Sequence, residues 1–311
     1  MFKKFIFPAV FVAISAGFTA CEDEEPVQEN ILSLAQGNSD LTSLVAAVQR
    51  AGLTSALSDG NSQLTVFAPT NAAFSAFLST NGFANVDAVP VDVLKQIILN
   101  HVVSGEVKST ALTTGYVSTL ATFGTNGPAL SLFVNTSGGV TLNGSVGVTS
   151  ADVDASNGVV HVVDEVIALP TVVTVATSNP NFTTLVAALT RPGLTTNFVN
   201  VLSGSGPFTV FAPTNDAFSA LLTELGAPNL EAVDNATLEA VLLYHVANGN
   251  VRSTDLTEGM SVSSLGGGTF TIGLAGGAKI TDGQDRVSNI TATDVQSANG
   301  VVHVIDKVIR P

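Results

Sequence analysis

The chain has 311 residues, 45% of them hydrophobic and only 12% charged, which argues against disorder and allows two domains of ordinary size. A formal net charge of −14 leaves little basic surface to displace counterions from a phosphate backbone, so nucleic acid is excluded as a partner. With a single cysteine in the whole chain, neither a disulfide framework nor a cysteine metal cluster can form within it.

Met1-Phe2-Lys3-Lys4 is a short basic segment, and residues 5–18 form an apolar run. Such a run is too short to span a bilayer comfortably and suits the core of a signal peptide. It ends in Phe18-Thr19-Ala20-Cys21, which resembles a bacterial lipobox, with Phe18 standing where Leu, Val or Ile is usual. That resemblance implies a type II (lipoprotein) signal peptide over residues 1–20 and lipidation of Cys21; a stray cysteine beside an ordinary leader is the plainer alternative. Several acyl chains on one cysteine anchor a protein stably to a membrane, where a single chain is marginal. Residues 21–29 then form a lipidated cysteine and an acidic tether, Glu22-Asp23-Glu24-Glu25-Pro26. The acidic run reads as a solvated spacer, or as similar to the export signals that carry some Gram-negative lipoproteins to the outer surface. The expected location is therefore the cell envelope, at the outer membrane or cell surface.

The rest of the chain is written twice. Leu41, Leu44, Val45 and Val48 recur at helical spacing, as do Phe182, Leu185, Val186 and Leu189, with Asp40 or Asn181 expected as N-cap and Gly52 or Gly193 as the stop. Next comes Leu64-Thr65-Val66-Phe67-Ala68-Pro69-Thr70-Asn71-Ala72-Ala73-Phe74, repeated as Phe208-Thr209-Val210-Phe211-Ala212-Pro213-Thr214-Asn215-Asp216-Ala217-Phe218. Physically this is a strand that stops at a proline and turns into a helix: the β-branched run suits a sheet, Pro69 and Pro213 remove a ladder donor, and the Thr-Asn oxygens can accept from orphan helix amides. Phe74 and Phe218 are the first large apolar residues of that helix. A further helix is expected over 91–101 and 235–245, placing Leu94, Ile97, Ile98 and His101 on one face, and Leu238, Val241, Leu242 and His245 on the other copy's. The sequence then becomes strand-rich and closes on Asn157-Gly158-Val159-Val160-His161-Val162-Val163-Asp164, echoed by Asn299-Gly300-Val301-Val302-His303-Val304-Ile305-Asp306. Asn-Gly starts a turn and the β-branched run behind it reads as a buried strand. The junction Leu169-Pro170-Thr171 has no Gly/Ser-rich linker, so semi-rigid stacking of the two copies is expected.

The two boxes, in this order and in both copies, resemble the paired signature segments of the fasciclin (FAS1) domain family, over about residues 30–311. The resemblance implies an α+β fold with two tandem domains, 30–169 and 170–311, each a seven-stranded β-sandwich or wedge flanked by a helical layer. On it, Thr65, Pro69, Thr70, Asn71, Phe74, His101 and His161, with Thr209, Pro213, Thr214, Asn215, Phe218 and His303, are structural motif residues. It also picks out Tyr244 and His245 as candidate adhesion residues, matching a Tyr-His pair implicated in adhesion and integrin binding by animal members. The first copy has Asn100-His101 there, so the match holds in the second copy alone. The alternative is that Tyr244 packs at the helix end with its hydroxyl at the surface.

Catalytic chemistry finds little purchase. The four histidines fall at two repeat-equivalent positions, without a second histidine at helical ligand spacing and without a thiol. They read as hydrogen-bonded structural residues, or less simply as a metal or acid–base site. Asp164 and Asp306, three places after a strand histidine, point to the opposite face from it. There is no Gly-x-Ser-x-Gly elbow, and the glycine runs 266–268 and 276–277 read as hairpin turns rather than a phosphate loop. No catalytic residue, cofactor or metal is expected. The reading is a non-enzymatic, lipid-anchored envelope protein mediating adhesion or matrix contact, with a protein or polysaccharide surface ligand. Its alternative is an envelope binding protein for a small ligand or polysaccharide, which the absence of tryptophan disfavours for sugars.

Overall fold

The computed structural model describes residues 28–311. The leader, Cys21 and the acidic residues 22–26 lie outside the described residues. None of the described helices is long and apolar enough to cross a membrane.

The first domain opens with three short helices, α1 (Ile31–Gly37), α2 (Thr42–Arg50) and α3 (Thr54–Ser58), and enters the sheet on β1 (Leu64–Pro69). Helices α4 (Asn71–Thr80) and α5 (Val91–Asn100) complete the helical layer. Strands β2 (Val102–Ser104), β3 (Gly115–Thr122), β4 (Ala129–Asn135), β5 (Thr141–Leu142), β6 (Val146–Ala155) and β7 (Gly158–Val163) follow. The second domain repeats the order: α6 (Val172–Ser178), α7 (Thr183–Leu189), α8 (Phe198–Leu202), β8 (Phe208–Pro213), α9 (Asn215–Leu225) and α10 (Asn235–Tyr244). Its remaining strands are β9 (Val246–Asn248), β10 (Ser261–Ser263), β11 (Thr269–Gly273), β12 (Lys279–Thr281), β13 (Val287–Ser297) and β14 (Gly300–Ile305).

Each domain is thus α+β with seven strands and a helical layer, as expected. In both, the strand of the first box pairs in parallel with the strand of the second: β1 with β7, from Leu64–Gly158 to Pro69–Val163, and β8 with β14, from Phe208–Gly300 to Pro213–Ile305. In the first domain the seven strands close into a barrel. In the second they run in the order β10-β11-β12-β13-β14-β8-β9, and a single bridge from Ala247 to Ser264 joins the two ends.

Because the helices cover one face of the central strand and the barrel interior receives the other, β1 is buried along its whole length. Leu64, Val66 and Ala68 pack under the helices, while Phe67 enters a second core with Leu132, Val134 and Val163. Likewise Val210 and Ala212 face the helical side, and Phe211 turns the other way, toward Phe270, Ile272 and Ile280. A central strand buried on both faces reads as a continuous apolar run rather than an alternating one. Burying a single Phe side chain such as Phe74, only 1% exposed, stabilises by roughly 2–3 kcal/mol.

Candidate functional site

The two boxes, with the histidines that end α5 and α10, form three joints per domain. The first is the strand-to-helix corner. Pro69 ends β1, and the Thr70 hydroxyl accepts from Ala73 N at 3.2 Å, capping α4. Thr214 does the same for Ala217 N in α9. Asn71 and Asn215 serve other helices. Asn71 Oδ1 accepts from Ser43 N at 2.8 Å and from the Thr42 hydroxyl at 3.1 Å, so it caps α2, while its Nδ2 donates to Ser39 O at 2.9 Å. Asn215 repeats the pattern on Thr184 N, the Thr183 hydroxyl and Pro180 O. Asp40 and Asn181 are consequently not the N-caps expected of them. A 3-10 turn precedes each of these helices, and Asn38 and Asn179 cap that turn instead. Thr65 and Thr209 close the corner, their hydroxyls donating to Gly105 O at 2.7 Å and Gly249 O at 2.8 Å.

The second joint is the Asn-Gly box. Buried Asn157 accepts from Ile31 N at 2.8 Å and donates to Leu57 O and Asp59 O at 3.0 and 3.2 Å, tying the start of α1 to the end of α3. Asn299 makes the equivalent bonds to Val172 N, Leu202 O and Gly204 O. Gly158 is required for space as well as for its φ of 141°, since a Cβ there would meet Leu64 O at 1.9 Å.

The third joint belongs to the histidines, all four of them buried. His101 Nδ1 donates to Ile97 O at 2.8 Å while its Nε2 accepts from Ile167 N at 2.8 Å, so the ring is neutral with its proton on Nδ1. His245 links Val241 O and Ile309 N in the same way. Burial lowers both to about 4, against the carbonyl hydrogen bond that pulls upward. His161 and His303 point their Nε2 at Val107 O and Val251 O. Their Nδ1 atoms accept from the backbone amides of Asp152 and Asp294.

Asp152 and Asp294 are the residues that sequence reasoning missed. Each sits at a bulge of β6 or β13 with φ near 60°, a left-handed conformation that Asp tolerates better than most residues. From there Asp152 accepts from the Ser109 amide and hydroxyl, and Asp294 from those of Ser253. The Ser109 hydrogen bonds hold Asp152 below the usual carboxylate value. For Asp294 burial pushes upward, but the Ser253 bonds and Arg252 outweigh it. The available signal was the repeated Asp-Val at 152–153 and 294–295, ahead of each second box.

Serine, aspartate and histidine therefore meet twice without forming a catalytic relay. The hydroxyl donates to the carboxylate, and both ring nitrogens are already engaged with backbone. Asp164 and Asp306 turn away as expected, accepting from Gly147 N and Asn289 N. Among the described residues no group of three or more potential ligands could hold a metal ion.

Tyr244 and His245 lie inside the second domain, 1% and 3% exposed. The Tyr244 hydroxyl donates to Thr269 O at 2.5 Å and its ring packs edge-on to Phe270. The alternative of a surface hydroxyl fails with it, because β11 covers the helix end. A solvent-facing contact pair is not what this geometry presents. The equivalent Asn100 donates to Ile167 O and Ala168 O at 3.3 and 3.1 Å, and so holds the chain as it leaves the first domain.

That exit is part of an interdomain seam. Ser131 Oγ accepts from Gln296 N at 3.0 Å, deep between β4 and β13. Tyr116 of the first domain packs on the second domain's helical core, its hydroxyl taking Asn179 Nδ2 at 3.2 Å and reaching Val175 O. Burial pushes this phenol up to about 12, with the Asn179 bond pulling the other way. Two domains joined by buried polar bonds and no spacer present their loops as one object.

A family model described as Fasciclin domain matches residues 39–170 and 180–311. Protein sll1483 of Synechocystis is 42% identical over 143 residues, which is 45% of this chain and 73% of that protein. Transforming growth factor-beta-induced protein ig-h3 of Sus scrofa is 29% identical over 255 residues, 81% of this chain but 35% of that protein. Periostin of Homo sapiens is 28% identical over 260 residues, and the chain spans 29% of it. Among solved structures, a FAS1 domain pair from the insect cell adhesion molecule Fasciclin I matches with a TM-score of 0.55 at 21% identity, covering 88% of this chain and 97% of that one.

Proposed function

The chain belongs to the fasciclin domain family, and from that premise we propose that it is a non-enzymatic adhesion protein of the cell envelope, held at a membrane by lipid on Cys21. The observation that carries the reading is the tandem pair itself, two domains of this family held together by the Gln296–Ser131 and Tyr116–Asn179 contacts. The parent of the similar domain pair is an insect cell adhesion molecule, and adhesion is the activity carried to this chain on the strength of the shared family. The partner is a protein or polysaccharide on another cell or in a matrix. Tethering many copies on one surface raises the effective concentration of each weak contact, so modest individual affinity suffices. A non-enzymatic role agrees with histidines spent on backbone and serines spent on carboxylates.

The test is adhesion of beads coated with residues 22–311 to whole cells and to a panel of matrix polymers. Clumping or sticking above albumin-coated beads is expected, and beads inert toward every surface would end the adhesion reading. Since Tyr244 and His245 are buried, the folded Tyr244→Phe chain is expected to stick as well as the parent; loss of sticking there would restore the hydroxyl as a contact group. Labelled palmitate incorporated by cells expressing the full chain, and lost in Cys21→Ser, checks the anchor.

A further inference from the structure

The second domain carries an apolar cleft of about 260 Å³ between α9, α10 and the Arg310–Pro311 segment. Leu221, Leu225, Leu230, Val233 and Val241 form its walls, and the Arg310 side chain stands at its edge. For scale, an engineered apolar cavity of about 150 Å³ is enough to take up benzene. Gln284 Nε2 holds the Pro311 carbonyl oxygen at 3.2 Å, so the tail forms a fixed wall.

The first domain carries larger side chains at corresponding positions. Phe77 stands where the second repeat has Leu221, Gln96 where it has Ala240, and Leu169 where it has Pro311. Phe77 and Leu169 pack onto the first domain's core, and Gln96 is committed to the Thr122 amide at 2.9 Å. The space in the second domain thus comes from a set of smaller side chains on the same frame.

The mouth brings together two guanidinium groups and two carboxylates. In a chain with net charge −14, both Arg286 and Arg310 gather at this corner. They share Glu224, which lies 2.9 Å from Arg286 but 3.8 Å from Arg310. Arg286 is held again by Asp282 at 2.6 Å. Arg310 is therefore the loosely paired cation of the two, and its buried Nε, like those of Arg50, Arg252 and Arg286, lacks a hydrogen-bond partner. An apolar trough ending at an under-used guanidinium fits a molecule with a hydrocarbon body and a carboxylate head, because guanidinium binds carboxylate with two parallel hydrogen bonds.

We propose that this cleft is a binding site for a small amphiphilic carboxylate, its chain lying against Leu221, Val233 and Val241 and its head group on Arg310. The proposal stands apart from the adhesion reading, and either can fail without the other.

Decanoate, decanol and decylamine titrated into residues 22–311 by calorimetry, with melting temperature read in parallel, test it. Decanoate is expected to bind saturably and raise the melting temperature, decanol to bind more weakly, and decylamine to bind least. Importing the first domain's side chains with Leu221→Phe and Ala240→Gln closes the cleft and is expected to abolish decanoate binding. Arg310→Gln is expected to weaken decanoate at least tenfold and bring it level with decanol. Should the double variant fail to fold, Leu225→Glu serves in its place: Leu225 is 41% exposed at the mouth, and a carboxylate there repels the head group. No saturable decanoate binding overturns the proposal, as does binding unaltered by closing or recharging the cleft. Decanol binding as tightly as decanoate removes the carboxylate from it.

Discussion

Replacing Asn157 by alanine is expected to cost the first domain about 3 kcal/mol. The side chain is fully buried and makes three hydrogen bonds, to Ile31 N, Leu57 O and Asp59 O. The Asp59 carbonyl keeps a donor in the Ser62 hydroxyl at 2.9 Å, so its loss is small. The Ile31 amide has no such reserve, and an orphaned buried donor costs about 1–3 kcal/mol, to which the bond lost at Leu57 O adds about 1 kcal/mol. For a domain of this size that is a fall in melting temperature of roughly 10 °C, readable by scanning calorimetry. Asn157→Asp separates the hydrogen bonds from the volume. The new carboxylate still accepts from Ile31 N but faces two carbonyl oxygens where an NH2 donated, which disfavours the charged form. The folded pKa of the introduced carboxyl is raised, so stability is recovered below the unfolded carboxyl value and lost as pH rises through the folded one. A loss under about 1 kcal/mol for Asn157→Ala, or an Asn157→Asp chain as stable as the parent at neutral pH, would refute the assignment of this residue as the tie between α1 and α3.

Further outcomes follow from the same geometry. His101 and His245 have folded pKa values lowered to about 4 from 6.5, so the unfolded chain takes protons first. Stability is then full above about pH 6.5 and lost as pH falls toward 4, by roughly 3 kcal/mol per histidine, and His101→Gln should flatten part of that slope in urea titrations at stepped pH. Gly158→Ala drives a methyl into Leu64 O and should abolish the β1–β7 pairing, seen as failure of the first domain to give a cooperative transition. Asn71→Ala uncaps α2 from outside and should cost about 1 kcal/mol, as should Asn215→Ala in the second domain; urea midpoints measure both. Ser131→Ala orphans the Gln296 amide and should split the calorimetric melt into two separate transitions if the seam couples the domains.

What the sequence determined by itself is what contiguous residues decide. The Pro69 stop, the Thr70 cap and the plunge of Phe74 into the core depend on a handful of neighbours, and both copies carry them. Period-two alternation likewise turned Asp164 away from His161. The copying of two boxes in order pointed to the family, and it was that resemblance, not the local pattern, that implied the seven strands and the helical layer. Tertiary structure decided whatever required a partner distant in the chain. Asn71 looked like a cap for its own helix and instead caps α2, because the corner packs against that helix's start. Asp152 was invisible as a partner of His161, since a bulge with left-handed backbone is what swings it toward Ser109. Tyr244 resembled a contact residue, and only the passage of β11 across the end of α10 buries it. Closure of the first sheet into a barrel, and of the second by one bridge, depends on how much each sheet twists, a property summed over strands rather than written in any one of them. The cleft beside Arg310 is the same kind of fact: its apolar walls are single residues of helix and turn, and the space arises from the volumes they fail to fill together.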